Sequence, residues 1–250
     1  MIIYPILQLQ EGRCVSLQRG ELDQPTVWHG DPVERALSFV ADGAEWLHVT
    51  DLDAVAGADD TSINLEIIRQ IIRQVGVPVQ ISGGMRSDET VRTWVDAGAA
   101  RIVFGSTAVQ FRDWVSAKAR AYPDLVAVSF DIWQGTVVVD GWSRSVMMTP
   151  ADLIHAYDGV PLAAMILTDI DRDLDMPESS FALVTKLAEE TRTPVIASGL
   201  VKALDDVSTL RYMPNLAGAM IGRALYDKSV DLAEAIALAR PVPEPVAPFQ

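Results

Sequence analysis

The chain of 250 residues has one cysteine, Cys14, and only three histidines, His29, His48 and His155. A single thiol excludes an internal disulfide, and Cys14 is expected to pack or sit in a loop rather than react. The histidines are too scattered to build a metal site, and His48, inside an apolar run, is expected to be a packed core residue. Asp51-Leu52-Asp53 with Asp59-Asp60 has acidic side chains but not the glycine and closing glutamate of a calcium loop. Neither a metal nor another cofactor is predicted. No apolar run approaches the roughly 20 residues needed to cross a bilayer, and Met1-Ile2-Ile3-Tyr4-Pro5 has no basic leader region. No membrane partner and a cytoplasmic location follow as expectations. Basic residues are also scarce: 20 Lys and Arg against 34 Asp and Glu leave a formal charge of -14, which opposes nucleic-acid binding. A small phosphorylated ligand is still compatible with that charge, because backbone N–H groups at helix starts hold phosphate without many cations.

What the sequence does contain is itself, twice. Pro78-Val79-Gln80-Ile81-Ser82-Gly83-Gly84 returns as Pro194-Val195-Ile196-Ala197-Ser198-Gly199-Leu200. Ile102-Val103-Phe104-Gly105-Ser106-Thr107-Ala108 returns as Ala219-Met220-Ile221-Gly222-Arg223-Ala224-Leu225. Short apolar runs near 2–9, 46–51, 79–82, 101–104, 125–130, 163–168, 195–197 and 218–221 alternate with helix-period stretches such as 64–75 and 179–190. Helix starts are marked by Asp31-Pro32, Ser87-Asp88-Glu89 and Thr149-Pro150. Eight such strand-helix units in two similar halves predict an α/β fold, a (βα)8 TIM barrel built from two half-barrel repeats. One domain over 1–240 is expected, followed by a proline-rich tail over 241–250, as a monomer or weak homo-oligomer.

In such a barrel chemistry belongs at the C-terminal ends of the strands. The polar residues there are Gln8, Asp51, Asp131, Thr168 and Asp169, with four glycine-bearing ends: Ser82-Gly83-Gly84, Gly105-Ser106, Ser198-Gly199 and Gly222-Arg223. A lone glycine is usually a turn, but four in symmetry-related pairs point to two phosphate cradles, and so to a ligand with phosphates at both ends. Asp51 and Asp53, like Asp169 and Asp171, are expected to alternate along extended backbone, so that only one of each pair faces the mouth.

These residues carry a resemblance. Glu11-Gly12-Arg13-Cys14-Val15, the run from Gly43 to Val49, Asp51-Leu52-Asp53, Ser82-Gly83-Gly84-Met85-Arg86, Gly141-Trp142, Thr168-Asp169-Ile170, Pro194 to Gly199 and Gly222 to Tyr226 together resemble the phosphoribosyl isomerases of histidine biosynthesis. The likeness runs from Met1 to about Ala237. It implies an Amadori rearrangement of a bis-phosphorylated aminoaldose to its ketose, with a base that takes the C2 proton and an acid that opens the ribose ring. Ser82-Gly83-Gly84 also resembles the type that serves phosphoribosylanthranilate as well. By the resemblance, the acid position is Asp173, and Thr168 and Trp142 position the substrate. Arg86 is expected either to pair with the ligand or to make a surface salt bridge.

The chain departs from the family where the base should be. The family's strand-one aspartate is Gln8, and a neutral amide cannot take that proton. In the internal repeat Gln8 is the counterpart of Asp131, which is a carboxylate, so Asp131 or Asp51 is the replacement candidate. Ser16 stands where an arginine is expected. Leu200 replaces the second glycine of one cradle and is expected to crowd it, and Asp175, beside Leu174, adds a negative charge there. Two readings follow: an isomerase with a relocated base, or a diverged paralogue that binds a different phosphorylated metabolite. A second isomerase copy in the same genome favours divergence.

Overall fold

The computed structural model describes residues 1–17, 22–57, 63–170 and 177–240. Twelve strands and eleven helices are seen among them. Eight strands close a parallel barrel: β1 (Ile2–Gln10), β4 (Leu47–Asp51), β5 (Val79–Ser82), β6 (Arg101–Phe104), β7 (Val126–Trp133), β10 (Ala164–Asp169), β11 (Val195–Ser198) and β12 (Leu216–Ile221), with β12 returning to β1. Each falls within two or three residues of a run read from the sequence.

The alternation within these strands sorts side chains into two cores. Leu7, Leu9, Val49, Ile81, Phe104, Phe130 and their neighbours face outward into the layer beneath the helices. Tyr4, Val103, Ala127, Ile166, Ile196 and Met220 point inward and fill the barrel. Short βα connections lead into α1 (Pro32–Ala41), α4 (Asp88–Asp96), α7 (Pro150–His155), α9 (Leu204–Arg211) and α11 (Leu232–Ala239). Three of these starts are capped as their sequences predict. Asp31 accepts from Val33 N (2.7 Å) and Glu34 N (3.0 Å), Ser87 from Thr90 N (3.1 Å) and Thr149 from Asp152 N (3.1 Å). Helices α3 (Ile63–Gln74), α6 (Arg112–Ala121) and α8 (Pro177–Glu189) complete the outer ring.

The two-fold repeat is visible in details that the motif comparison does not reach. β1 and β7 each continue into an antiparallel hairpin strand, β2 (Arg13–Ser16) and β8 (Thr136–Val139), and these pair further with β3 (Thr26–Trp28) and β9 (Arg144–Ser145). Both hairpins turn through two residues with positive φ: Glu11 (48°) and Gly12 (75°) in one, Gln134 (48°) and Gly135 (72°) in the other. That is the two-residue turn whose twist matches paired strands. The same matching holds for two very short helices, α5 (Ser106–Gln110) and α10 (Arg223–Tyr226), which start from Gly105 (φ -88°, ψ -112°) and Gly222 (φ -108°, ψ -104°). The remaining short helix, α2 (Leu52–Ala56), follows β4 directly. No helix among the described residues is long and apolar enough to cross a membrane.

Candidate active site

A cavity of about 1530 Å³ opens at the C-terminal ends of the barrel strands. Its wall takes in Gln8, Asp131, Thr168 and Trp142, and its rim takes in all four glycine-bearing strand ends. Of the residues expected at the site and described, only Asp51 is missing from this lining.

Asp51 is 3% exposed, and its carboxylate is used by the fold. Oδ1 accepts from Ala54 N at the start of α2 (3.1 Å) and from Asn64 Nδ2 (2.8 Å). Asp53 is not on extended backbone but in the first turn of α2, where it accepts from Glu11 N (3.0 Å) and the same Asn64 amide (2.9 Å). The strand ends at Asp51, so the expected alternation does not apply, and both carboxylates clamp α2 and α3 to the β1 hairpin. Asp171, Arg172, Asp173, Leu174 and Asp175, like Asp59, Asp60 and the 241–250 tail, lie outside the described residues.

Asp131 lines the cavity on the strand opposite Gln8, and Asp169 at the end of β10 lines it as well. On β7 Asp131 lies beside Thr168 of β10, whose hydroxyl hydrogen-bonds it, and Trp142 Nε1 donates to Oδ2 (2.8 Å). Burial raises its pKa above the usual carboxylate range, and the Trp142 and Thr168 bonds hold back part of that rise. Gln8 pairs with Val15 and Thr50 on either side, and its Oε1 accepts from Leu17 N (3.3 Å).

Trp142 reaches Asp131 because its loop is pinned. Asp140, Gly141 and Trp142 have positive φ of 57°, 65° and 68°. Asp140 anchors the loop by donating its N–H to Ser106 Oγ (2.9 Å) while its carboxylate accepts from Gln110 Nε2 (2.9 Å) and Arg144 Nη2 (2.8 Å). The tryptophan loop and the Gly105-Ser106 cradle are thus one hydrogen-bonded unit.

The first cradle needs its glycines. A Cβ on Gly83 (φ 106°) would run into the backbone carbonyl of Asp51, and one on Gly84 (φ 65°) would come 2.7 Å from Ala54 Cβ. Arg86 lies on the cavity wall, but its guanidinium donates to Ala54 O and Val55 O, each at 2.8 Å, closing the C-terminal end of α2. On the opposite side Ser198 is buried, Gly199 has φ 78°, and Arg223 Nη2 donates to Leu17 O (2.5 Å).

Leu200 is a correction to the expectation of a crowded cradle. After the left-handed Gly199 the chain turns its next side chain outward, and Leu200 is fully buried in the layer beneath the helices. It contributes no bulk to the cavity wall. Cys14 is buried, and burial pushes its thiol up to about 11, as a packed cysteine requires. His48 is buried as expected, but it also touches the cavity floor, which its apolar sequence neighbours did not show.

Comparison with known proteins decides the family. A family model described as histidine biosynthesis protein matches residues 2–231. The chain belongs to the histidine biosynthesis protein family. It is 50% identical over 250 residues, all of both chains, to 1-(5-phosphoribosyl)-5-((5-phosphoribosylamino)methylideneamino) imidazole-4-carboxamide isomerase 2 of Ruegeria pomeroyi. Ruegeria sp. (strain TM1040) has two similar proteins of the same name, numbered 1 and 2. The chain is 44% identical to isomerase 1 over 249 residues (100% of both chains) and 40% to isomerase 2 over 239 (95% of this chain, 99% of the other).

Proposed function

We propose that this member of the family is an aldose–ketose isomerase of a phosphoribosyl aminoaldose in which Asp131 takes the proton that Gln8 cannot. The observation that carries the reading is the place of the Asp131 carboxylate: on the cavity wall, at the half-barrel counterpart of Gln8, with its pKa raised toward the working range of a base. The full-length likeness to proteins named as isomerases supports the reaction class.

In this reading Gly83, Gly84, Gly105 and Ser106 hold one phosphate, and Ser198, Gly199, Gly222 and Arg223 hold the other. Backbone N–H groups do most of the work, which suits an acidic protein. Asp173 protonates the ribose ring oxygen as the ring C–O bond breaks and C1 becomes an iminium. Asp131 removes the C2 proton, the electron pair closes a C1–C2 double bond, and the iminium nitrogen becomes neutral. Loss of the O2 proton and protonation of C1 then give the ketose. Thr168 and Trp142 keep Asp131 aimed, and Arg86 acts by holding α2 under the first cradle.

A second reading is a diverged paralogue for another phosphorylated metabolite. It is favoured by the Gln8 amide bonded to Leu17 and by the two numbered isomerases of a single Ruegeria strain. Turnover of the histidine-pathway aminoaldose by the purified chain, with phosphoribosylanthranilate run alongside, separates the two. Measurable turnover that disappears in Asp131→Asn is the expected result. An inactive wild-type chain on both substrates sinks the isomerase reading, and anthranilate turnover alone changes the substrate.

A further inference from the structure

A line of buried and half-buried polar side chains joins the lower barrel to the cavity floor, and the mechanism above leaves it unused. Arg101, at the start of β6, stacks over Trp46 with its guanidinium carbon 4.5 Å from the ring centroid, and Nη1 donates to Gln80 Oε1 (3.0 Å). A guanidinium can only donate, so this bond decides which end of the Gln80 amide faces Arg101. The amide nitrogen is thereby turned to His48 Nδ1 (2.9 Å), with Met220 Sδ at 4.0 Å as its other acceptor. Nδ1 must then accept, and the ring hydrogen of neutral His48 sits on Nε2.

Nε2 lies 3.0 Å from Thr50 Oγ1 and 3.1 Å from Ser82 Oγ, and the two hydroxyls are 2.8 Å apart. The imidazole donates into this triangle and accepts nothing from it. One hydroxyl can donate to the other, which leaves one hydroxyl hydrogen with no acceptor inside the triangle. His48, Thr50 and Ser82 all line the cavity, and Ser82 directly precedes the first cradle.

We propose that Arg101, Gln80 and His48 form a one-way donor chain that aims a hydroxyl hydrogen of Ser82 or Thr50 into the cavity, where it holds an acceptor oxygen of the bound sugar. Gln80 and His48 are positioning residues, and Arg101 sets the direction. Burial, with Arg101 second, lowers the His48 pKa to about 3, so the ring stays neutral and keeps a single hydrogen to direct. The catalytic consequence rests on the isomerase reading. The C2 oxygen gains carbonyl character during the reaction, and an oriented donor in a dry site stabilises such an oxygen.

The test pairs a spectroscopic readout with turnover. In protein labelled with nitrogen-15 at its three histidines, ring nitrogen shifts at about pH 7 are expected to show His48 as the Nε2–H tautomer. Gln80→Glu keeps the bond from Arg101 but presents an acceptor to Nδ1, so the ring hydrogen moves there or a second one is added. Turnover of the aminoaldose is expected to fall about tenfold or more in kcat, with KM changed by less than about threefold. Gln80→Met, which removes the donor without adding charge, gives mixed tautomers and a smaller loss, and it serves if the glutamate variant does not fold. An Nδ1–H ring in the unaltered protein overturns the chain, and so does full turnover in a variant whose ring has reversed. A wild-type protein without turnover overturns the isomerase reading alone, and the ring spectrum then decides the chain by itself.

Discussion

Gln8 and Asp131 occupy one position of the half-barrel repeat. Each pairs across a hairpin with a valine, Val15 or Val138, and each reaches the same cavity from a parallel strand. One carries an amide and the other a carboxylate. One half thus places a neutral amide at this position while the other places a half-buried carboxylate.

That relation makes a double substitution informative. Gln8→Asp is expected to raise turnover by about 10²-fold or more, the usual worth of a general base. In the Asp131→Asn background the same change is expected to restore activity that Asp131→Asn alone removes. Steady-state kinetics on the four proteins reads the cycle. If Gln8→Asp is inert in both backgrounds, the cavity is arranged for different chemistry.

Asp131 also makes stability depend on pH in an unusual direction for a carboxylate. Its pKa is raised in the fold by burial, so the native state favours the protonated form. Its contribution is fully present below the unfolded pKa of about 3.9 and is lost as pH rises through the higher folded value. Asp131→Asn is therefore expected to raise Tm at about pH 7, with the gain shrinking as the pH is lowered toward about 4. Thermal melts across that window check it. A lower Tm for the variant at neutral pH would mean that the ionised group is net stabilising.

The barrel was legible because its signals are local and repeated. Each strand is a short apolar run, and Asp31, Ser87 and Thr149 cap their helices through neighbouring residues. The two hairpins were missed although their signal is present: Glu11-Gly12 and Gln134-Gly135 sit between pairable strands, as two-residue turns do. The site was harder to read. That Asp51 turns away while Asp131 faces in depends on where β4 gives way to α2, and the burial of Leu200 depends on the left-handed Gly199 before it. Neither follows from residue type. The contacts of Asp140 with Ser106 and Gln110 join segments some 30 residues apart, and no spacing rule encodes that distance.

Two cradle glycines are expected to respond differently to alanine. At Gly83 a Cβ meets the Asp51 backbone at a left-handed φ, so Gly83→Ala should cost at least about 1–2 kcal/mol of stability and abolish ligand binding. At Gly105 nothing lies within 4 Å of an added Cβ, but ψ of -112° lies outside the regions open to alanine, so Gly105→Ala should lose less stability than Gly83→Ala, through backbone strain alone, while weakening phosphate binding. Denaturant unfolding and calorimetry with inorganic phosphate distinguish them. Equal losses of stability would contradict the contact geometry.

Leu200 offers a test of the second cradle. Its side chain is core, so Leu200→Ala is expected to cost roughly 2–5 kcal/mol by removing buried methyl groups. Phosphate affinity should not improve. A tighter phosphate site in this variant would place the leucine in the ligand's path after all.

Trp142 and Asp131 give the last prediction through their single hydrogen bond. The indole N–H stabilises the ionised carboxylate, opposing the burial that favours the neutral one. Trp142→Phe keeps the ring's bulk and removes that donor, so the Asp131 pKa rises further. A base acts only when ionised, so the acid limb of kcat/KM moves to higher pH, and the variant's deficit is larger at about pH 6 than at about pH 8. The shift separates a tuning role from simple loss of contact area, which lowers activity equally at every pH. An unshifted acid limb would mean that a group other than Asp131 sets it, and Asp173 would be the next carboxylate to substitute.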